Sequence, residues 1–325
     1  MSVIASSRLI ALILAVNWAP TLCAETFIRP PLDVDLIGTI RSAVPRHEDT
    51  LLDIARRYDV GQDEIVIANP GVDRWLPEPG TEVVVPTRYV LPRADRKGLV
   101  LNVAEMRLYY FLPARPGHPG EVQTYPVSVG RMDWKTPVGV TKVVGKTRNP
   151  DWHPPESIRL EAAARGDPLP DVIPSGPNNP LGNYALRMAL PGYLIHSTNK
   201  PYGVGMRVTH GCVRMYPEDI EVLFPEVPVG TPVQIVNEPV KLGWLADTLF
   251  MEVHPPLEED QSTTDLKALA MDLVNREWQR RPFVLDGAAF NRAVSEKHGV
   301  PVAIARRHAA MSCSLRSTLT CTSIS

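Results

Sequence analysis

Apolar positions in the first third of the chain recur at helical spacing. Leu51, Ile54, Ala55 and Tyr58 fall at i, i+3, i+4 and i+7, one stripe of a short amphipathic helix. Asp49 or Thr50 can cap its start. Asp63 can cap a second helix through Ile65 and Ile67. That helix should stop at Asn69-Pro70, because the residue before a proline is pushed out of the α region. Val83–Val85, between the Pro79-Gly80 turn and Pro86, reads as a strand. Residues 41–87 are therefore expected to form a small strand–helix–helix–strand unit.

From Lys97 to Val236 the period changes to two. Gln123, Tyr125, Val127 and Val129 alternate with their neighbours, as do Val138 and Val140, and Tyr184, Leu186 and Met188. Leu99–Val103 and Arg107–Leu112 flank Ala104-Glu105 and predict a hairpin. Short β-runs at close spacing point to a mainly β fold, a β-sandwich or barrel over residues 97–236. One stretch interrupts them. Residues 149–182 hold eight prolines, Trp152 and His153 without periodicity, the pattern of a lid or binding loop. Beyond Val236, Leu266, Leu269, Ala270, Leu273 and Val274 predict a helix over 264–278. Asp286-Gly287 can open another that closes at Gly299. Residues 237–310 thus read as a helical C-terminal region, followed by a Ser/Thr-rich tail over 311–325.

Composition narrows the function classes. A net charge of −2 over 325 residues excludes a bulk electrostatic nucleic-acid binder. Arg8, the apolar run Leu9–Trp18, Pro20 and Ala24 follow the order of a secretory signal peptide over residues 1–24. No later stretch is apolar enough to span a membrane after its cleavage. The 33 prolines are roughly twice the usual ~5% share and favour strands and ordered loops. Of four cysteines, Cys23 falls in the signal, while Cys313 and Cys321 lie in the tail, where they can pair. Cys212 stands alone in the body of an exported protein, where a lone thiol is either buried or used.

The chemistry concentrates in residues 193–219. His196 and Ser197 end an apolar run, and Thr209-His210-Gly211-Cys212-Val213-Arg214 follows. A thiol with a pKa near 8.5 needs a neighbouring base, which His196 can supply from across a sheet. Gly211 permits close backbone approach, and N–H groups around Cys212 can form an oxyanion hole. Arg214 can grip a carboxylate bidentately. Nucleophile, base, oxyanion site and carboxylate anchor are the equipment of acyl transfer. Two other readings use the same residues. His196, His210 and Cys212 are zinc-type ligands, although no carboxylate or second cysteine lies at short ligand spacing. Cys212 can also be a small core residue.

His196 followed after thirteen residues by Thr209-His210-Gly211-Cys212-Val213-Arg214 resembles the signature of the YkuD-type L,D-transpeptidases. Thr136-Pro137-Val138-Gly139, Trp152-His153-Pro154-Pro155 and Tyr216-Pro217-Glu218-Asp219 extend the resemblance over residues 97–236. Residues 41–87 resemble a LysM module through Asp49-Thr50-Leu51, Ile54-Ala55, Tyr58, Asn69-Pro70, Gly80 and Val85-Pro86, with Glu48 where such modules usually carry Gly. The domain order is similar to that of periplasmic members in Gram-negative bacteria.

The resemblance implies Cys212 as nucleophile, His196 as general base and the Ser197 carbonyl as its orienting group. Gly211 and Cys212 N–H groups would hold the oxyanion, with His210 in support. Arg214, Asn199 and Trp152 would bind substrate, and no metal or organic cofactor is implied. The implied donor is a peptidoglycan tetrapeptide stem that loses D-alanine. The implied acceptor is the lysine of an outer-membrane lipoprotein, a second diaminopimelate, or water. An idle catalytic fold in a wall-binding protein is the alternative of a different class.

Overall fold

The computed structural model describes residues 25–307 apart from His118. The expected signal segment, Cys23 and the Cys313–Cys321 pairing lie outside the described residues. In chain order the first strands are β1 (Glu25–Ile28), β2 (Leu36–Gly38) and β3 (Arg41–Ala43). Helices α1 (Leu51–Arg57) and α2 (Gln62–Ala68) follow, then β4 (Val83–Val85) and β5 (Arg88–Val90). The β-rich segment comprises β6 (Gly98–Asn102), β7 (Arg107–Phe111), β8 (Glu121–Gly130), β9 (Gly139–Arg148), α3 (Glu156–Ala164), β10 (Tyr184–Met188), β11 (Leu194–His196), β12 (Arg207–Thr209), β13 (Val213–Met215), α4 (Pro217–Glu226) and β14 (Pro232–Val236). The last unit holds β15 (Val240–Leu245), β16 (Thr248–Val253), α5 (Leu266–Arg280), β17 (Phe283–Leu285), α6 (Gly287–Glu296) and β18 (Val302–Arg307).

Strands β8-β13-β11-β10-β9-β14-β6-β7 pair in that order, and β7 pairs again with β8, closing the sheet into a barrel. Most of the period-two residues turn inward, but Val138 and Val140, just before and at the start of β9, are exposed, which corrects the expectation for that pair. Leu99, Leu101, Leu108, Tyr125, Val127, Leu186, Ile195, Val213 and Ile235 fill the interior, with Ile220 and Leu223 of α4 packed on them. The predicted hairpin is β6–β7, turning through Met106 in a left-handed conformation (φ 53°). The fold is mainly β, as the alternation implied. The 149–182 stretch carries the one local surprise there: α3. Pro154-Pro155 fix its entry, and the good helix formers Leu160 to Ala164 continue it.

The strand–helix–helix–strand unit forms as expected, with β3 and β4 antiparallel over Ala43, Leu51, Ile54, Ile65, Val83 and Val85. Thr50 caps α1 in a reciprocal box with Asp53. Asp63 does not cap α2. The helix starts two residues earlier, from extended Gly61, whose N–H donates to the Glu64 carboxylate at 3.0 Å. Glu48 adopts φ 70°, a conformation that glycine takes without strain.

The C-terminal region is not simply helical, which corrects the expectation. Both predicted helices form, α5 capped by Asp265 and α6 by Asp286. They pack on a four-stranded sheet, β15-β16-β18-β17. Its strands alternate too: Val240, Leu242 and Trp244, and Leu249, Met251 and Val253, face the helices. The interleaved Lys241 and Glu252 are charged, which hid the pattern, yet they are buried against the barrel. There Lys241 Nζ donates to Glu105 Oε2 (2.6 Å), Glu252 Oε1 (2.7 Å) and the Val90 carbonyl (2.7 Å). His254 Nε2 lies 2.7 Å from Glu252 Oε1.

Candidate active site

Strand β11 runs parallel to β13, with Ile195 opposite Val213 and His196 opposite Arg214. Ile195 and Val213 point into the barrel core. Side chains alternate along a strand, so His196 and Arg214 share the outer face. Cys212 immediately precedes β13, two residues before Arg214, and continues that face. The two halves of the signature are thus joined by one parallel pairing.

His196 is buried, and its Nδ1 lies 2.6 Å from the Ser197 carbonyl. A carbonyl only accepts, so Nδ1 carries the hydrogen and Nε2 keeps its lone pair. Burial, followed by the Arg214 charge, lowers the imidazole pKa to about 4, against the opposing pull of the Ser197 and Leu181 carbonyls. The ring is neutral at working pH and able to take a proton. Burial also pushes the Cys212 thiol up, outweighing the Leu194 N–H and the Arg214 charge. The resting pair is therefore thiol and imidazole, not thiolate and imidazolium. Cys212 is a free thiol whose Sγ lies 3.6 Å from the Gly192 carbonyl.

The loop before Cys212 is fixed by hydroxyls. Thr209 Oγ1 donates to the Cys212 carbonyl at 2.6 Å and accepts from the Gly211 N–H at 3.2 Å. Buried Thr136 donates to the Gly211 carbonyl at 2.8 Å and accepts from Gly130 N–H at 2.9 Å. Gly211 sits at φ 98°, and a Cβ there would lie 2.7 Å from the Tyr193 ring. Gly211→Ala is thus strained twice, by backbone and by contact. It is expected to destabilise the protein by about 1–3 kcal/mol. Turnover should fall by about tenfold or more, because the strain is applied at the residue before Cys212. Thermal melting beside a steady-state assay checks both; wild-type values in each would sink the assignment.

His210 is engaged by Glu161 and Trp134. Its Nε2 lies 2.7 Å from Glu161 Oε2 on α3, and its ring meets Trp134 edge-on at 5.1 Å. Arg131 and Arg165 also bond Glu161, at 2.6 and 2.7 Å. The Arg131 and His210 hydrogen bonds hold the Glu161 carboxyl near pKa 2. Ionised Glu161 only accepts, so Nε2 of His210 donates. The histidine fastens the loop before Cys212 to α3. Arg214 has a half-buried guanidinium whose Nε is without a partner among the described residues.

Asn199 is exposed three residues beyond His196. Trp152 exchanges two backbone hydrogen bonds of 2.8 Å with Ile173 inside the 149–182 stretch. The structure ties neither of them to Cys212. Donor atoms of His196, His210 and Cys212 do not converge. Among the described residues, three ligand-type side chains lie within 4.8 Å of one another only at Glu105, Glu252 and His254, around the Lys241 ammonium. Sequence reasoning missed Glu161, Thr209 and Tyr193 as supports. Glu161 carries no local signal, since it lies 49 residues from His210.

Residues 96–235 match the YkuD family, described as the L,D-transpeptidase catalytic domain. The chain is 40% identical over 242 residues to "Probable L,D-transpeptidase YcfS" of Escherichia coli K12, covering 73% of this chain and 74% of that protein. It is 37% identical over 294 residues to "Probable L,D-transpeptidase YbiS" of the same strain, covering 88% and 94%. "Probable L,D-transpeptidase ErfK/SrfK" of that strain is 40% identical over 246 residues, covering 74% and 78%. With its barrel matched by the family and its length shared with these relatives, the chain belongs to the L,D-transpeptidase family.

Proposed function

We propose that this protein is an exported peptidoglycan L,D-transpeptidase working through a Cys212 thioester. The observation that supports this most is the parallel β11–β13 pairing, which sets a neutral His196, hydrogen-fixed by Ser197, on the face that Cys212 continues. Cys212 Sγ attacks the carbonyl between meso-diaminopimelate and the terminal D-alanine of a tetrapeptide stem. Its proton passes to His196 Nε2 during attack. The carbon–nitrogen bond breaks, His196 returns the proton to the departing amine, and D-alanine leaves. An acceptor amine then attacks the thioester and loses a proton to His196, and the thiol is restored. The Cys212 N–H would hold the oxyanion, joined by that of Gly211 once the Thr209 hydroxyl turns aside. Arg214, with an unpartnered Nε, would take a substrate carboxylate.

The strand–helix–helix–strand unit reads as a LysM-like wall-binding module, and the site of action as the periplasm. Among the described residues no helix is long and apolar enough to cross a membrane. For the acceptor, the domain order leans to the lysine of an outer-membrane lipoprotein. Incubation with a disaccharide-tetrapeptide plus a lysine-terminated peptide, read by mass spectrometry, tests it. Conjugation to that peptide is expected. Stem dimers alone would assign 3→3 cross-linking, and tripeptide alone a hydrolase.

The protonation states give a pH expectation. Burial disfavours the thiolate, so the reactive anion appears only above the ordinary thiol range near 8.5. Iodoacetamide modification of Cys212 should accelerate with pH through a midpoint above that value. A plateau between about pH 5 and 7 would mean a preformed thiolate–imidazolium pair and contradict the neutral resting state.

A further inference from the structure

The α1–α2 turn of the N-terminal module is pressed against the loop that joins the His196 and Cys212 segments. The Gln62 N–H donates to the Val204 carbonyl and the Asp63 N–H to that of Gly205, both at 3.1 Å. First-turn N–H groups of a helix have no partner within it, so the loop supplies their acceptors. The contact is backbone on backbone. Gly205 has φ 83°, and a Cβ there would lie 2.3 Å from Gly61 Cα, while a Cβ on Gly61 would lie 3.0 Å from Gly205 Cα. The module is anchored around this point. Arg56 grips the Glu218 carboxylate bidentately at 2.9 and 3.2 Å, and the Tyr216 hydroxyl reaches the Val60 carbonyl at 3.4 Å. Fully buried Arg107 of β7 donates to Glu64 at 2.7 Å and to the Asp59 carbonyl at 3.2 Å.

The other side of the same loop faces the candidate site. Ser128 Oγ donates to the Gly203 carbonyl at 2.6 Å. A Cβ on Gly203 would lie 3.7 Å from Arg214 Nη1. Arg214 in turn sits in register between His196 and Ser128. We infer that the module seats residues 201–205 through the Gly61–Gly205 contact, and thereby positions Arg214 for the acyl donor. Gly61 and Gly205 are positioning residues, and the module is one wall of the catalytic loop. The inference rests on the proposed role of Arg214 toward a substrate carboxylate.

Gly61→Val in the full-length chain tests it. Gly61 has φ −73°, so a side chain is tolerated by the backbone and acts as a wedge on the contact. Amide hydrogen exchange over residues 200–209 is expected to rise about tenfold, with β6 and β7 unchanged. KM for a disaccharide-tetrapeptide should rise about fivefold or more. Modification of Cys212 by neutral iodoacetamide, which needs no carboxylate anchor, should stay within about threefold. Arg56→Glu turns the ion pair with Glu218 into a repulsion and should shift exchange and KM the same way; adding Glu218→Arg should reverse both. Unchanged exchange at 200–209 in Gly61→Val overturns the contact's role, whatever the substrate. Faster exchange with unchanged KM overturns the route through Arg214. If wild type leaves the tetrapeptide untouched, the proposed function fails instead, and exchange still decides the contact.

Discussion

Cys212→Ala is expected to lower D-alanine release from tetrapeptide stems by on the order of 10⁴-fold or more, down to the uncatalysed background. Removing a covalent nucleophile leaves the oxyanion donors and the binding groups, but no group to make the acyl intermediate. The substitution should not disturb the fold. The thiol meets only backbone, the Gly192 carbonyl and the Leu194 N–H, and the loop is held by Thr209, Thr136 and Gly211 through backbone atoms. Melting temperature and wall binding should therefore match wild type while turnover disappears. Retained D-alanine release in a folded Cys212→Ala protein would transfer the chemistry to another residue.

The second large effect concerns stability. Lys241→Met is expected to cost about 3–5 kcal/mol, because it leaves two buried carboxylates without their cation. Burial would neutralise Glu252, but the Lys241 charge and the His254 hydrogen bond outweigh it and hold its pKa near 2. Glu105 lies on the raised side, driven by burial and opposed by Lys241. The ammonium is held by both carboxylates, and it ties three parts of the chain together. Glu105 belongs to the β6–β7 turn, Lys241 and Glu252 to the C-terminal sheet, and Val90 to β5. Without the lysine, the C-terminal sheet should part from the barrel first. Urea unfolding of the full chain measures the cost. Replacing Glu105 and Glu252 by Gln alongside Lys241→Met should recover much of it, since a fully neutral cluster no longer buries unpaired charge. A loss below about 1 kcal/mol for Lys241→Met alone would mean that the carboxylates neutralise at little cost.

Much of the barrel was legible because alternate residues of its strands enter one core, although β6, β7 and β8 are buried on their outer faces as well. The alternation of Tyr125, Val127 and Val129 states directly which face is inside. Helices α1, α5 and α6 announced themselves by stripe and cap. What stayed hidden has a common physical cause: charge buried by distant partners. Lys241 and Glu252 disguised two strands because their partners, Glu105 and each other, come together only in the fold. Strand β1 adds to β8 across nearly 100 positions of sequence, and nothing local in Glu25–Ile28 foretells it. In the candidate site, His196, Gly211 and Cys212 were singled out by residue type and spacing, and the β11–β13 pairing brings their segments side by side. The direction of His210 was not, because Glu161 decides it from within the proline-rich stretch.

The central claim is acyl transfer through Cys212, and the most direct measurement is intact-mass spectrometry of the reduced mature protein during reaction with a disaccharide-tetrapeptide. The expected result is a transient adduct of the donor minus D-alanine, confined to wild type and absent from Cys212→Ala, with free D-alanine appearing in step. D-alanine release without any adduct on wild type, or the same adduct on Cys212→Ala, would contradict a thioester at this residue.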